Sequence, residues 1–281
     1  MRARLRIDSV YPWAVTTEVH TTVDVVAGEP FVRVTTAFTN AHRDHRLRVH
    51  FPLPATVTGS DAECAFAVVH RALTHDGNPI EAGLPTYPAR RFVDCSDGTV
   101  GLALVHDGVG EYEVTDEGRE VALTLLRTVG YLSRDDGKLR PVGAGPPLPI
   151  PRAEQLGEFR RSYAVAVHRG TWEDAGLHTV ADQVLLPLEH ARVATTDGTE
   201  APAGAPLAVD GAEVTAVTRE GRTLLVRVLR ARSTAGRAEI RWGGQPARGW
   251  SVDLVGRPLA AVDGGLELRP WQVATVRLAP A

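Results

Sequence analysis

Short runs of alternating apolar and polar residues recur along this chain, separated by Gly, Pro, Asp and Asn. In EPFVRVTTAFTN, Val32, Val34 and Phe38 fall on one side of an extended backbone, which predicts a strand with one apolar face. The same kind of run recurs in HRLRVHFPLP, VALTLLRTVGYL, YAVAVH, EVTAVTR, TLLVRVLR, AEIRW, WSVDLVG and VATVRLA. Helical periodicity is scarce between these strands, so we predict an all-β chain built from sandwiches and not a doubly wound sheet.

One segment, TWEDAGLHTVADQVLLPLEH, breaks this pattern. Thr171 followed by Asp174 suits a capping box, so we predict a single connecting helix here. The next stretch is rich in Gly, Ala, Pro, Thr and Asp and has little periodicity. We therefore predict a first domain at 1–187, a linker or return strand at 188–210 and a terminal β-sandwich at 211–281.

Composition narrows the class of protein. The 281 residues are 43% hydrophobic and 23% charged, which is enough apolar material for a packed core. The arginines are spread along the chain, so we expect no nucleic-acid partner. Charges interrupt the N-terminal MRARLRIDSVYPWAV, which predicts no signal peptide and no membrane span and favours a cytoplasmic protein. Cys64 and Cys95 are expected to be free, buried thiols.

Three aspartates and a histidine in RRFVDCSDGTVGLALVHDG raise the question of an acid–base centre. Asp97 and Asp107 each precede a glycine, which is typical of tight turns, so this stretch is interpreted as a hairpin. Asp94 lies within a strand-like run, where its carboxylate could have a structural or a catalytic role. One carboxylate supplies no catalytic pair, and we assign no catalytic residue here.

His42 and His45 have His-x-x-His spacing, but the surrounding pattern predicts a turn, where this spacing does not direct both rings to one metal ion. We find no Gly-rich phosphate loop, no Cys-x-x-Cys pair and no Gly-x-Ser-x-Gly nucleophile motif. The sequence therefore predicts no metal site in this chain, with the histidine pair as the alternative.

A second acid-rich segment is LLRTVGYLSRDDGKLRPVGAGPPLPIP, where Arg134, Asp135 and Asp136 follow a strong strand. The three could form a solvated turn, or a loop that reaches a polar ligand with the arginine donating and the aspartates accepting hydrogen bonds. Many Gly and Pro residues restrict the segment, which favours an ordered projecting loop.

The order of the motifs is itself informative. They are VRVTTAFTNAHRDHRLRVHFPLP, RRFVDCSDGTVGLALVHDGVGEYEV, VALTLLRTVGYLSRDDGKLRPVGAGPPLPIP, TWEDAGLHTVADQVL, WSVDLVGRPL and LELRPWQVATVRLAP. Together they resemble the C-terminal part of bacterial α-mannosidases of glycoside hydrolase family 38. The resemblance covers nearly the whole chain. It implies a galactose-mutarotase-like β super-sandwich that lacks its first strands, followed by a small β-sandwich.

Family members hydrolyse terminal α-mannosides with retention, using an aspartate nucleophile and a zinc ion on a catalytic barrel. The resemblance implies that this chain lacks that barrel and its zinc, so we expect it to be inactive alone. It also implies that Arg134, Asp135 and Asp136 line the sugar cleft, with Arg134 supporting substrate hydroxyls or a carboxylate of the catalytic domain. Trp271 is interpreted as a core anchor and not as a sugar-stacking platform.

The expected partners are an α-mannoside and a catalytic barrel, in the same chain or on a separate one, and a homo-oligomer stays open. The alternative is a free-standing carbohydrate-binding or subunit-like β module that pairs with a separate barrel. Strands without neighbours would leave unpaired edges, so we expect an exposed apolar surface.

Overall fold

The computed structural model describes residues 1–107, 110–137, 139–190 and 206–279. It divides the chain into two compact units, Met1–Pro187 and Leu188–Ala281, which we call unit 1 and unit 2. Strands dominate both units, and the strand pairs of each unit run antiparallel. The all-β prediction is confirmed.

Unit 1 contains twelve strands and one α-helix among its described residues. The strands are β1 Arg2–Tyr11, β2 Thr17–Val26, β3 Val32–Asn40, β4 Arg46–Pro52, β5 Gly59–Cys64, β6 Ala67–Ala72, β7 Thr86–Pro88, β8 Phe92–Ser96, β9 Val100–His106, β10 Glu111–Thr115, β11 Glu120–Arg127 and β12 Gly157–Arg169. One sheet has the order β1-β2-β3-β12-β9-β8-β5-β6, and the other has the order β4-β11-β10-β7.

The core of unit 1 lies between these two sheets. Val93 and Leu104 of the larger sheet and Tyr112 and Leu123 of the smaller sheet are fully buried in one cluster. Full burial of each such side chain contributes about 1.5–3 kcal/mol, so this shared core is the main force that holds the sheets together. The strands β8, β9 and β11 that carry most of these residues are buried on both faces, so they appear in the sequence as continuous apolar runs and not as period-2 alternation.

The helix of unit 1, α1, spans Leu177–Leu185. Thr171 and Asp174 exchange the hydrogen bonds of a capping box, with the Thr171 N–H donating to Asp174 Oδ2 at 2.9 Å. These bonds close a turn before the helix, however, and α1 begins only after Gly176, whose φ of 60° is left-handed. The single helix is confirmed, but its start lies later than the capping box indicates.

Unit 2 contains nine strands among its described residues. They are β13 Leu207–Asp210, β14 Glu213–Glu220, β15 Thr223–Leu229, β16 Gly236–Trp242, β17 Gln245–Pro246, β18 Arg248–Val252, β19 Pro258–Asp263, β20 Gly265–Leu268 and β21 Val273–Leu278. One sheet has the order β13-β16-β17, with β20 also paired to β16, and the other has the order β14-β15-β21-β18-β19. Val226, Ile240, Val276 and Leu278 are fully buried in the core between them.

Most of the predicted linker, 191–205, lies outside the described residues, whereas its last four residues form β13. Among the residues that the structure describes, no helix is long and apolar enough to cross a membrane.

Candidate functional site

The long connection 128–156 joins β11 to β12 and carries the predicted site residues. Four residues, which we call the loop clamp, fasten its two ends: Asn40, Asp44, Gly130 and Glu154. The Gly130 N–H donates to Asp44 Oδ1 at 2.7 Å, and the Asp44 N–H donates to Glu154 Oε2 at 2.9 Å. Asn40 Nδ2 donates to the backbone carbonyl of Glu154 at 3.1 Å. The loop clamp thus ties both ends of the connection to the end of β3.

The loop clamp depends on a close approach between the backbone of Gly130 and the side chain of Glu154. A Cβ atom at Gly130 would lie 2.9 Å from Glu154 Oε1, so only glycine leaves this carboxylate in place. Glu154 is 3% exposed and Asn40 is 4% exposed. Buried polar groups stabilise a structure only when they are hydrogen-bonded, and the clamp provides those bonds.

The connection is also braced along its length. Tyr131 and Pro149 form an isolated antiparallel bridge. Ser133 Oγ donates to the carbonyl of Gly145 at 2.7 Å and accepts from the Gly145 N–H at 2.9 Å. These contacts hold the two arms of the connection against each other, as expected of an ordered projecting loop.

Arg134 and Asp136 lie together at the tip of this loop, and both are exposed. Arg134 Nε and Nη2 donate to the two carboxylate oxygens of Asp136, each at 2.7 Å. This pairing lowers the pKa of Asp136 below its usual range. The guanidinium carbon also lies 5.5 Å from the centre of the Tyr131 ring. Because Nε and Nη2 face Asp136, the Nη1 edge is the part of Arg134 available to a ligand.

Asp135 is exposed next to this pair, and no hydrogen bond of its side chain is found within the described residues. The loop contacts around Arg134 therefore involve Asp136. The role of all three residues at a sugar cleft stays a prediction.

Three apolar side chains of the same loop are exposed. The exposed fractions of Leu132, Val142 and Leu148 are 83%, 56% and 64%. Water does not favour so much apolar surface on one loop, and such surface commonly marks a place where another protein surface packs. The loop thus presents an exposed guanidinium together with exposed apolar side chains.

A groove of about 950 Å³ lies on the larger sheet of unit 1. Its polar lining includes Glu18, His20, Thr39, Glu158 and Arg160. His20 Nδ1 lies 2.6 Å from Asp8 Oδ1, and this contact, after the hydrogen bond from Arg6, lowers the pKa of Asp8. These five side chains belong to β2, β3 and β12, and Val15, Thr16 and Ala41 line the groove from just outside β2 and β3. The groove is therefore not a feature of the projecting loop.

The acid-rich stretch that contains Asp94 is a hairpin, as predicted, because β8 and β9 pair antiparallel. Asp97 Oδ1 accepts from the backbone N–H groups of Thr99 and Val100 at 2.7 and 2.9 Å, which fixes the turn. Part of the second predicted turn, which follows Asp107, lies outside the described residues.

Asp94 contacts His168 of β12 beneath the protein surface. Asp94 Oδ1 lies 2.8 Å from His168 Nε2, and Asp94 is fully buried. Burial raises the pKa of Asp94 although His168 opposes this shift. For His168, burial favours the neutral ring, but the hydrogen bond and charge of Asp94 outweigh it, and its pKa is raised. A carboxylate without solvent access is a structural partner for His168.

The histidine pair is held by hydrogen bonds. His42 Nε2 lies 3.0 Å from Thr17 Oγ1 and 3.0 Å from the Val15 carbonyl, and His45 Nδ1 lies 3.2 Å from Thr128 Oγ1. Within the described residues, no group of three or more His, Cys, Asp or Glu side chains is arranged to hold a metal ion. The donor set that is described therefore does not fit a zinc ion, and we derive no step through one.

Sequence reasoning did not find the loop clamp. Asp44 and Glu154 are separated by 110 positions, so no local spacing connects them. The only available signal was the position of Asp44 at the end of a strand, next to a predicted turn.

Comparison with known proteins relates these features to a family. Residues 3–138 match the glycosyl hydrolases family 38 C-terminal domain. A protein of Halalkalibacterium halodurans that bears the name "Putative mannosylglycerate hydrolase" is 26% identical over 176 residues, which are 58% of this chain and 18% of that protein.

Two solved structures from Enterococcus faecalis are similar over both units. One is a protein in glycosyl hydrolase family 38, with a TM-score of 0.78, 26% identity and coverage of 94% of this chain and 30% of that one. The other is an alpha-mannosidase of strain V583, with a TM-score of 0.79, 26% identity and coverage of 94% and 29%. The chain thus spans less than a third of the length of these proteins.

Proposed function

We propose that this chain carries the C-terminal β region of a glycosyl hydrolase family 38 mannosidase and completes the sugar cleft of an enzyme that cleaves α-mannosides. The observation that carries the proposal is the match of residues 3–138 to the family 38 C-terminal domain, and the similarity of 94% of the chain to an alpha-mannosidase structure supports it. We propose that the chemical steps belong to a catalytic barrel, in the same polypeptide or in a partner.

In this arrangement, retention of configuration follows from an aspartate nucleophile of the barrel, whose glycosyl-enzyme is opened by water. A zinc ion of the barrel would orient sugar hydroxyls and polarise the site. This chain contributes orientation. The Nη1 edge of Arg134 binds a substrate hydroxyl or a carboxylate of the barrel, while Asp136 fixes the guanidinium plane.

The exposed apolar side chains of the same loop support this role. Leu132 and Leu148 would pack against the barrel and exclude water from the cleft, which strengthens the hydrogen bonds of the guanidinium. The loop clamp would keep this tip in position, because orientation by a mobile loop has little catalytic value.

A hybrid enzyme tests the role of Arg134. This chain replaces the matched region of the Enterococcus faecalis alpha-mannosidase, and kcat/KM is measured on an aryl α-mannoside. Arg134→Ala is expected to lower kcat/KM on the order of 10–100-fold through lost orientation. The matched control is Arg119→Ala, because Arg119 makes an equivalent exposed two-bond pair with Asp116 at the turn between β10 and β11.

If the Arg134→Ala, Arg119→Ala and unchanged hybrids have equal kcat/KM, Arg134 has no role in the sugar cleft. An equal loss in both variants would point to a general effect of removing surface arginines. Thermal unfolding of each hybrid separates loss of fold from loss of orientation.

A second substrate belongs in the same assay. The relative from Halalkalibacterium halodurans is named for mannosylglycerate, whose carboxylate would suit the free edge of Arg134. If the cleft takes this substrate, Arg134→Ala lowers kcat/KM more for mannosylglycerate than for the uncharged aryl mannoside.

The alternative function is a free-standing carbohydrate-binding or subunit-like module that pairs with a separate barrel. Stable monomeric behaviour with measurable sugar binding would favour it. A cytoplasmic location and a homo-oligomeric state stay predictions.

A further inference from the structure

An exposed tryptophan lies on the solvent face of the five-stranded sheet of unit 2. Trp250 of β18 is 52% exposed. It pairs with Arg277 of β21, which alternates with the fully buried Val276 and Leu278, so Trp250 and Arg277 lie on the outer face of the sheet. Leaving half of an indole in water forgoes substantial hydrophobic stabilisation, so such a position calls for a physical reason.

The register of the sheet builds a depression beside this indole. Trp250 pairs with Ala261 on β19 and with Arg277 on β21, so all three side chains emerge in one row. Ala261 is small, which leaves a depression of about 560 Å³ next to the indole, with the backbone of Gly249 in its floor. This volume lies within the range that small-molecule sites usually show.

Gly249 cannot be enlarged without moving the sheet. A Cβ atom there would lie 2.0 Å from the carbonyl oxygen of Arg277, so a side chain would have to displace β21. The floor of the depression is therefore fixed by regular strand pairing, which gives a rigid surface.

Charged groups border the depression on two sides. Arg248 Nε and Asp263 Oδ1 lie 3.4 Å apart at one side, and both side chains are highly exposed. Arg277 lines another side, where its Nη1 donates to the carbonyl of Gly256 at 3.0 Å and its Nη2 lies 3.5 Å from Glu220. One flat aromatic surface is thus combined with guanidinium donors and a carboxylate acceptor.

We propose that the depression around Trp250 binds a pyranose ring of a carbohydrate. The C–H groups on one face of a pyranose carry partial positive charge and pack on the electron-rich face of an indole. Its hydroxyls both donate and accept, so they suit arginine donors and the Asp263 carboxylate. This site belongs to unit 2, whereas the loop that carries Arg134 belongs to unit 1.

The charges favour a sugar over an apolar partner. A partner that covered Arg248, Arg277 and Asp263 with apolar surface would have to desolvate all three without replacing their bonds to water. Sugar hydroxyls replace those bonds one by one. The choice of mannose as the sugar rests on the proposed function, whereas the pyranose site rests on the geometry of unit 2.

The test is a titration of the full chain with α-mannobiose, followed by ¹H–¹⁵N NMR of the tryptophan indole N–H groups. Methyl β-glucopyranoside is titrated in parallel. The Trp250 signal is assigned from its loss in Trp250→Ala. Saturable shifts of this signal are expected, with a Kd on the order of 1 mM for such a shallow site. Trp250→Ala is expected to weaken sugar binding at least tenfold.

Two further variants make the test specific. Trp13→Ala is the matched control, because Trp13 is an exposed indole of unit 1 with 41% exposure. It should leave the affinity unchanged. Ala261→Leu fills the depression, keeps Trp250 and changes an exposed side chain, so it should also abolish binding while the protein stays folded.

Saturation of the Trp250 signal by α-mannobiose, lost in Trp250→Ala and Ala261→Leu, supports the proposal. Saturation by the glucoside alone supports the pyranose site but contradicts mannose as its ligand. That result would count against the proposed function and not against the site. The absence of saturable shifts with either sugar at about tenfold the expected Kd overturns the proposal. Loss of binding in Trp13→Ala, but not in Trp250→Ala, overturns it as well.

Discussion

His106 shows how a single residue can make this protein sensitive to acid. It lies at the end of β9, is 1% exposed, and neither ring nitrogen has a hydrogen-bond partner within the described residues. Burial is the main cause that lowers its pKa to about 4, because a charged imidazolium loses its hydration there. The ring therefore stays neutral in the folded protein at pH values where an unfolded chain already binds a proton.

The sign of the pH effect follows from these two states. Between an ordinary histidine pKa of about 6.5 and the folded value, the unfolded chain binds more protons, so folding becomes less favourable as pH falls. We expect unit 1 to lose about 2–3 kcal/mol of unfolding free energy from this residue between pH 6.5 and 4. His106→Leu should remove most of that loss and should be neutral or stabilising at pH 7.

Urea denaturation at a series of pH values measures this difference. His75→Leu is the control, because His75 is exposed. The unfolding free energy of this variant should depend on pH as it does in the unchanged protein. A His106→Leu variant that loses stability with falling pH as steeply as the unchanged protein would refute the assignment.

Single residues also mark the limit of sequence reasoning. The Asp97 turn was predictable because an Asp-Gly pair carries its own turn chemistry. The burial of Asp94 and His106 was not, since both lie in apolar strand patterns and only the tertiary packing decides which face is covered. Trp250 and Trp271 show the same limit, because the alternation of apolar and polar residues does not reveal that Trp250 is the more exposed of the two.

At the scale of elements, a network of charged side chains around the buried Glu63 connects α1 to the larger sheet of unit 1. Arg91 Nε and Nη2 donate to Glu63 at 2.8 and 2.7 Å, and Arg91 Nη2 lies 2.9 Å from His178 Nδ1 of the helix. Arg91 also pairs with Asp182 of the helix. Glu63 is 3% exposed, so its charge depends on Arg91 for compensation.

Arg91→Met is therefore expected to lower the unfolding free energy of unit 1 by about 3–5 kcal/mol, because it leaves the buried Glu63 carboxylate without its partner. The midpoint of urea unfolding, followed by circular dichroism, measures the change. Arg119→Met is the control, since Arg119 pairs with Asp116 in full contact with water and should change stability little. Equal midpoints for both variants would contradict the role of Arg91.

Elements differ in how far the sequence predicts them. A strand such as β3 follows from period-2 alternation, because only one of its faces is fully buried. The strands β9 and β11 are instead apolar runs that are buried on both faces. The helix start did not follow, because the capping box closes a preceding turn and Gly176 sets the first turn of α1. The Arg91 network joins residues 28 and 87 positions apart, which no local pattern connects.

At the scale of the whole molecule, the two units have separate cores with no residue in common. An apolar edge accompanies this arrangement in unit 1. Leu5 and Ile7 of the edge strand β1 are 59% and 44% exposed. Exposed apolar surface on an edge strand is suited to packing against further strands or a partner.

The proposed division of labour between this chain and the barrel is tested by the rate of aryl α-mannoside hydrolysis, with zinc present, by this chain alone and by the hybrid with the Enterococcus faecalis alpha-mannosidase. We expect turnover by the hybrid and none by the chain alone, because the cleft needs both the barrel and the Arg134 loop. Turnover by the chain alone, or a folded hybrid that binds zinc and has no activity, would refute the proposed function.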